Sequence, residues 1–330
     1  MERRKKYFYS HLLNDNEKRI CDLIIDGLEQ KKSNVVISGM KSSNASITKV
    51  VEIISLDFPE YFYFSVEKTR IWCMGNMTKI EIGYYYSGRE LEYMEASISQ
   101  SVAKILSGIP IDASPRQKEK KLHDILVKEI KYASGDLSIT KLHNIVGPLV
   151  EGVAVCEGYA KSFRYLCEKL GILCMVVTGT AISKIDGARG PHAWNIVRVS
   201  GKGCCHVDVT WDSCFFHSGS SYYVFYNQTD QEMIADHTWD MNKTPSCNSF
   251  VDRAVTYCET AKELEDFICK NIASDVLVFN VRVKKNFADT DEVLQFTKKI
   301  VSRHIELMIK RYTVSYIPSR QQIEYMFEKY

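Results

Sequence analysis

One run constrains this chain more than any other: GVAVCEGYAKSFRYLCEKLGI at 152–172, where an apolar extended stretch gives way to a helix at a cysteine. From Cys156 onward the apolar residues take helical spacing. Ala160, Phe163, Cys167 and Leu170 share a face, and Gly171 supplies the stop. Ile172–Thr178 then reads as a buried strand. Cys156 therefore falls at a helix N-terminus, where unpaired backbone N–H groups carry about half a positive charge. That setting favours thiolate over thiol, and the same N–H groups can form part of an oxyanion hole.

Ten further cysteines, at 21, 73, 167, 174, 204, 205, 214, 247, 258 and 269, test how special Cys156 is. The odd total in a 330-residue chain excludes a small disulfide scaffold. No C-x-x-C pair occurs, so zinc-ribbon and thioredoxin spacings are absent. Cys204, Cys205 and His206 are consecutive and alternate between faces of a strand, so they cannot easily clasp one ion. Most of the thiols are expected to be small buried hydrophobes. A reducing, cytoplasmic setting is the simplest one for so many. No apolar h-region follows the basic start MERRKK, and no apolar run approaches the ~20 residues of a membrane helix.

Three zones are expected. Residues 1–113 form an N-terminal α+β region, with helical stripes at Asp15–Gln30, Ser46–Ser55 and Glu90–Leu106. Strand-like aromatic runs lie at Tyr61–Val66 and Lys79–Tyr86. SGIPIDASP marks a boundary. Residues 114–245 carry the chemistry, opening with a helix from Ser114-Pro115 to about Lys131 whose Lys and Arg residues form a solvated face. Residues 246–330 read as a small α+β region: helix Thr260–Asn271, strand Val276–Val283, helix Asp291–Lys310 and strand Thr313–Ile317. With 43 basic and 41 acidic residues, the net charge of +2 supplies no field for nucleic acid.

Two more segments bear on Cys156. GPHAWNIVRV at 190–199 starts a strand with His192, which could deprotonate a thiol and later protonate a leaving amine. CHVDVTWD at 205–212 offers Asp208 as the group that orients the imidazole. His192–Val199 and Cys204–Trp211 alternate as half-buried strands around Ser200-Gly201-Lys202-Gly203, a hairpin signal. Antiparallel pairing with an even index sum puts His192 and Asp208 on one face. Asp212 competes with Asp208 but falls after the strand, where it caps a turn.

These three segments, in this order and separated by 36 and then 16 residues, resemble the transglutaminase-like superfamily of papain-like thiol enzymes, especially its bacterial branch. KLHDILVKEIKY at 121–132 looks like that family's segment before the nucleophile, and Val224–His237 like the tail after its core. The resemblance covers roughly 116–245. It implies an α+β fold in which a cysteine-bearing helix packs on an antiparallel sheet. It implies Cys156 as nucleophile, His192 as general base and acid, and Asp208 as orienter. Trp194, Trp211 and His206 are candidate substrate contacts, and His237 reads as structural.

A set of this kind implies acyl transfer to a cysteine from a carboxamide or peptide carbonyl through a thioester. Hydrolysis by a peptidase or amidase is the expected outcome. A transglutaminase that joins glutamine to an amine, and a non-catalytic scaffold of the same fold, are the alternatives. No calcium loop of the D-x-[DN]-x-[DN]-G type is present, and no metal or cofactor is expected. The expected partner is a peptide or protein substrate, with no nucleic acid and no membrane.

Overall fold

The computed structural model describes residues 9–39, 42–182, 187–198, 203–217, 224–248, 256–318 and 321–330. The N-terminal region begins with α1 (Asp15–Glu29). Its start is a capping box: Asn14 Oδ1 accepts the Glu17 N–H at 2.9 Å, and the Glu17 carboxylate accepts the Asn14 N–H at 3.0 Å. Ile20, Ile24 and Leu28 form its buried stripe. Strand β1 (Asn34–Ser38) and α2 (Asn44–Asp57) follow. A hairpin of β2 (Phe64–Met74) and β3 (Met77–Tyr84) completes an antiparallel sheet of order β1-β3-β2, and α3 (Gly88–Ser107) leads to the middle region. The aromatic run expected to end at Val66 continues to Met74, where alternately half-buried and exposed residues pair with β3.

Helix α4 (Pro115–Glu129) starts where expected. Ser114 and Gln117 form a capping box, and Pro115 sits in the first turn. Strand β4 (Lys131–Tyr132) then pairs in parallel with β5 (Val153–Ala154). Helix α5 (Cys156–Lys169) follows β5 directly and ends at Gly171, whose φ is 72°. Behind α5 stands an antiparallel sheet of β6 (Leu173–Ile182), β7 (Arg189–Arg198), β8 (Cys204–Val207) and β9 (His237–Trp239), in the order β8-β7-β6-β9. Tyr159, Phe163 and Leu166 bury the inner face of α5 completely. Each such side chain stabilises by roughly 1.5–3 kcal/mol. Asn195 of β7 locks helix and sheet together, donating to Ala160 O at 2.9 Å and Met175 O at 3.1 Å. The fold is therefore α+β, with the cysteine-bearing helix on an antiparallel sheet.

The β7–β8 register pairs Asn195 with Val207 and Ile196 with His206, the even register expected. The strand expected to run to Trp211 stops at Val207. Asp208 Oδ1 accepts the Trp211 N–H at 3.1 Å, and α6 (Val209–His217) begins instead. Residues 200–202 of the expected hairpin loop lie outside the described residues. A short α7 (Asp230–Met233) leads into β9.

The C-terminal region contains β10 (Thr256–Cys258), α8 (Ala261–Ala273), β11 (Val278–Val283), α9 (Thr290–Arg303), β12 (Ile309–Ile317) and β13 (Gln322–Lys329). Their sheet order is β10-β11-β13-β12. The helix expected to reach Lys310 ends at Arg303, and Met308 turns the chain with φ 55°. This region has its own core around Ile268, Val281, Val293, Ile300 and Ile323. In contrast, the N-terminal and middle regions share one core. Tyr9 Oη donates to Val176 O at 2.7 Å, and Arg164 Nη2 to Asp57 O at 2.7 Å, across that junction. No helix among the described residues is long and apolar enough to cross a membrane.

Candidate active site

Val155 is extended, with φ −95° and ψ 175°, and no side chain caps the helix that starts at Cys156. The first-turn N–H groups of α5 thus have no capping side chain beside the sulfur. A close approach shapes this end of the helix: a Cβ on Gly158 would sit 2.3 Å from Leu142 O. Cys156 is partly buried and packs against Ala160, Val176 and Ala193. Leu56 of α2 packs against the same cluster.

His192 projects from β7 beside Cys156. Its Nε2 is 2.7 Å from Asp208 Oδ2, which leaves Nδ1 for the thiol. Burial disfavours the imidazolium, but the charge and hydrogen bond of Asp208, reinforced by Cys156, outweigh it and push the His192 pKa up to about 10. Asp208 is fully buried at the end of β8. Burial raises its pKa, yet the charge and hydrogen bond of His192, then those of His237, hold it well below the usual carboxylate range. Asp208 is also pinned through its backbone, donating its N–H to Phe225 O at 3.0 Å. The structure thus brings Cys156, His192 and Asp208 together.

Asp212 does not compete for His192. It is buried in α6, where Oδ2 lies 3.0 Å from His123 Nε2 and Oδ1 accepts the Phe225 N–H at 2.8 Å. Burial raises the Asp212 pKa to about 6. Burial opposes the His123 imidazolium, but Asp124 and Asp212 push its pKa up to about 9.

The three expected substrate contacts divide. Trp211 is partly exposed, with its ring centroid 5.2 Å from that of His192. Trp194 and His206 are 1% and 0% exposed, so neither presents a surface to substrate. Trp194 instead stacks behind His192 at 6.0 Å and donates Nε1–H to His206 Nδ1 at 3.0 Å. Since indole only donates, His206 carries its proton on Nε2 and gives it to Asp230 Oδ1 at 2.9 Å. His206, Asp230 and Cys247 cluster tightly, but that proton occupies the nitrogen a metal would need.

His237, read from sequence as structural, reaches the site. Its Nε2 lies 3.3 Å from Asp208 Oδ2 and its Nδ1 2.6 Å from Asp236 Oδ1. Its one sequence signal is an Asp-His pair ahead of Trp239, which does not show that β9 adds to the sheet beside β6.

Beside the first turn of α5 lies a cavity of about 330 Å³. Phe58, Tyr61, Phe64 and Tyr85 form its wall from the N-terminal region, and His143, Glu157 and Lys161 its polar side. Lys161 Nζ bridges Glu157 at 2.7 Å and Ser55 Oγ at 3.1 Å. Burial works against the Glu157 carboxylate, but His143 and Lys161 bring its pKa down to about 2.

Residues 105–209 match the family model of the transglutaminase-like superfamily. No curated protein matches the chain. Among solved structures, a TGase crystal structure is 13% identical over 54% of this chain and 50% of that one, with a TM-score of 0.31. The periplasmic domain of TgpA from Pseudomonas aeruginosa, bound to ethylmercury, is 11% identical over 54% of this chain and 71% of that one, with a TM-score of 0.28. The chain spans about half the length of the first of these.

Proposed function

We propose that this chain, which its residues 105–209 place in the transglutaminase-like superfamily, is a cysteine-dependent acyl-transfer enzyme that hydrolyses peptide or carboxamide bonds. The observation that carries the reading is His192, held between Asp208 at 2.7 Å and the Cys156 thiol.

Cys156 passes its proton to His192, and the thiolate attacks the substrate carbonyl carbon. The negative charge moves to the carbonyl oxygen, and the N–H groups at the start of α5 stabilise it. On collapse the C–N bond breaks, and His192 returns the proton to the leaving amine or ammonia. A thioester remains on Sγ. Water, deprotonated by His192, attacks this thioester, releases the acid and restores the thiol. Asp208 keeps the ring oriented and stabilises the imidazolium in both halves.

Hydrolysis is favoured over cross-linking because it requires no second binding site for an amine. The cavity beside α5, most of whose lining comes from residues 55–85, is the proposed seat of substrate selection. The test is mass spectrometry of a glutamine-containing peptide incubated with the protein and an excess of a primary amine. Free acid or cleaved peptide supports the hydrolase. A predominant amine adduct indicates a transglutaminase, and an unchanged peptide across a broad peptide set indicates a non-catalytic scaffold.

A further inference from the structure

We infer that His237 is a positioning residue for the Cys156–His192 pair and acts through Asp208. This rests on the proposed role of that pair and adds a residue outside the family-matched segment 105–209.

A carboxylate only accepts hydrogen bonds. Asp208 Oδ2 lies 2.7 Å from His192 Nε2 and 3.3 Å from His237 Nε2. His237 faces a carboxylate at each ring nitrogen, so it donates to both only with both nitrogens protonated, and it acts on Asp208 in that form. Its Oδ1 accepts the Trp211 N–H at 3.1 Å. Asp208 is 0% exposed, so water has no access to replace either imidazole. The orientation of the carboxylate, and with it the direction in which His192 points, is set by these donors together.

His237 is itself fixed on every side. Its Nδ1 faces Asp236 Oδ1 at 2.6 Å, and Asp236 is 1% exposed. Its ring lies 4.6 Å from Trp211, 4.8 Å edge-on to Trp194 and 5.4 Å from His192, centroid to centroid. Strand β9 reaches this position because Gly179 has no side chain. A Cβ there would meet Thr238 O at 2.1 Å. The result is a continuous line from Asp236 through His237, Asp208 and His192 to Cys156.

Removing His237 leaves the buried Asp208 with one imidazole. The carboxylate is then freer to turn and easier to protonate, and both changes weaken its hold on the His192 imidazolium. The other titratable groups that face Asp208 are Asp212 and Cys214 of α6 and Tyr132 of β4. None of them donates to Asp208 in the described hydrogen bonds, so none can take the place of His237.

The rate of Cys156 alkylation by iodoacetamide, followed against pH, reads thiolate directly and needs no substrate. Wild type, His237→Gln, Asp236→Asn and Asp208→Asn are compared, with thermal melts to confirm folding. The wild-type profile is expected to keep a substantial rate on the acid side, and Asp208→Asn to lose it. His237→Gln should shift the acid limb upward by roughly one pH unit, or tenfold less thiolate at a fixed acid pH. Asp236→Asn should shift it in the same direction by less. A His237→Gln profile that superimposes on wild type while Asp208→Asn is displaced overturns the inference. If His237→Gln does not fold, an Asp236→Asn profile identical to wild type overturns it instead. A wild type with no acid-side rate defeats the Cys156–His192 pair itself, and this inference with it.

Discussion

His192 Nε2 and Asp208 Oδ2 stand 2.7 Å apart, joining the middle of the sheet to the residue at which β8 stops and α6 begins. Asp208 serves both structures at once, one oxygen on the imidazole and the other on the first turn of the helix. Asp208→Asn keeps the cap, because the amide oxygen still accepts, but it can hold the ring in the wrong tautomer and carries no charge. Turnover should fall by about 10³–10⁴-fold with a thermal midpoint close to wild type. A loss under tenfold in folded protein assigns orientation to another residue.

Asp212 is the contrasting case. Asp212 and His123 are both fully buried and share one hydrogen bond. Asp212→Ala takes away one of the two carboxylates on the buried His123, leaving Asp124, and removes the side-chain acceptor of the Phe225 N–H. The expected cost is about 3–5 kcal/mol of stability, measured by denaturant unfolding. The folded fraction should keep the iodoacetamide reactivity of wild type at Cys156.

The His192 imidazole has a pKa raised from 6.5 to about 10 in the folded protein. Protons are therefore bound more tightly by the folded state. This contribution to stability is complete below about 6.5 and is lost as pH rises through about 10. Thermal melts from pH 7 to 10.5 should show a falling midpoint, and the fall should be smaller in Asp208→Asn. In activity, the alkaline limb of a bell-shaped profile belongs to the Cys156–His192 pair and should lie far above 6.5. An alkaline limb near 6.5 contradicts the Asp208-stabilised imidazolium.

Much of this site is legible in the residues because its determinants are local. The change of period at Cys156, the glycine at 171 and the capping box at Ser114 each act within a few residues, and α5 and α4 begin as expected. The alternation in β7 and β8 likewise carries the register. What sequence does not carry is set by contacts between distant segments. The end of β8 depends on whether the Asp208 side chain turns back to Trp211, and alternation alone extends the strand through Trp211. The burial of Trp194 and His206 depends on Asp230 and on the arrival of β9. His237 joins the site only because β9 pairs with β6, more than fifty residues earlier in the chain. Strand β13 is legible in principle: Ile323, Tyr325 and Phe327 alternate as buried residues, and Pro318-Ser319 precedes them as a turn signal.

The flanks should differ in how far the middle region depends on them. Residues 1–113 share its core and meet β6 through Tyr9 and α5 through Asp57, whereas the C-terminal region has a core of its own. A fragment of 114–245 should be poorly soluble, because it exposes that shared apolar surface. A chain ending at 248 should remain soluble and fold cooperatively. Comparing soluble yield and melting cooperativity of the two fragments checks this, and a soluble, fully active 114–245 would count against it.

The central claim is that Cys156 is the reactive thiol among eleven. Cys167, Cys205, Cys214, Cys247, Cys258 and Cys269 all have thiols pushed upward by burial, while Cys156 lies at a helix N-terminus beside His192. Limiting iodoacetamide on folded protein, followed by peptide mass mapping, tests the claim most directly. The prediction is that Cys156 is labelled before the other ten and that His192→Ala removes this preference. Cys156 among the slowest to react would contradict the account.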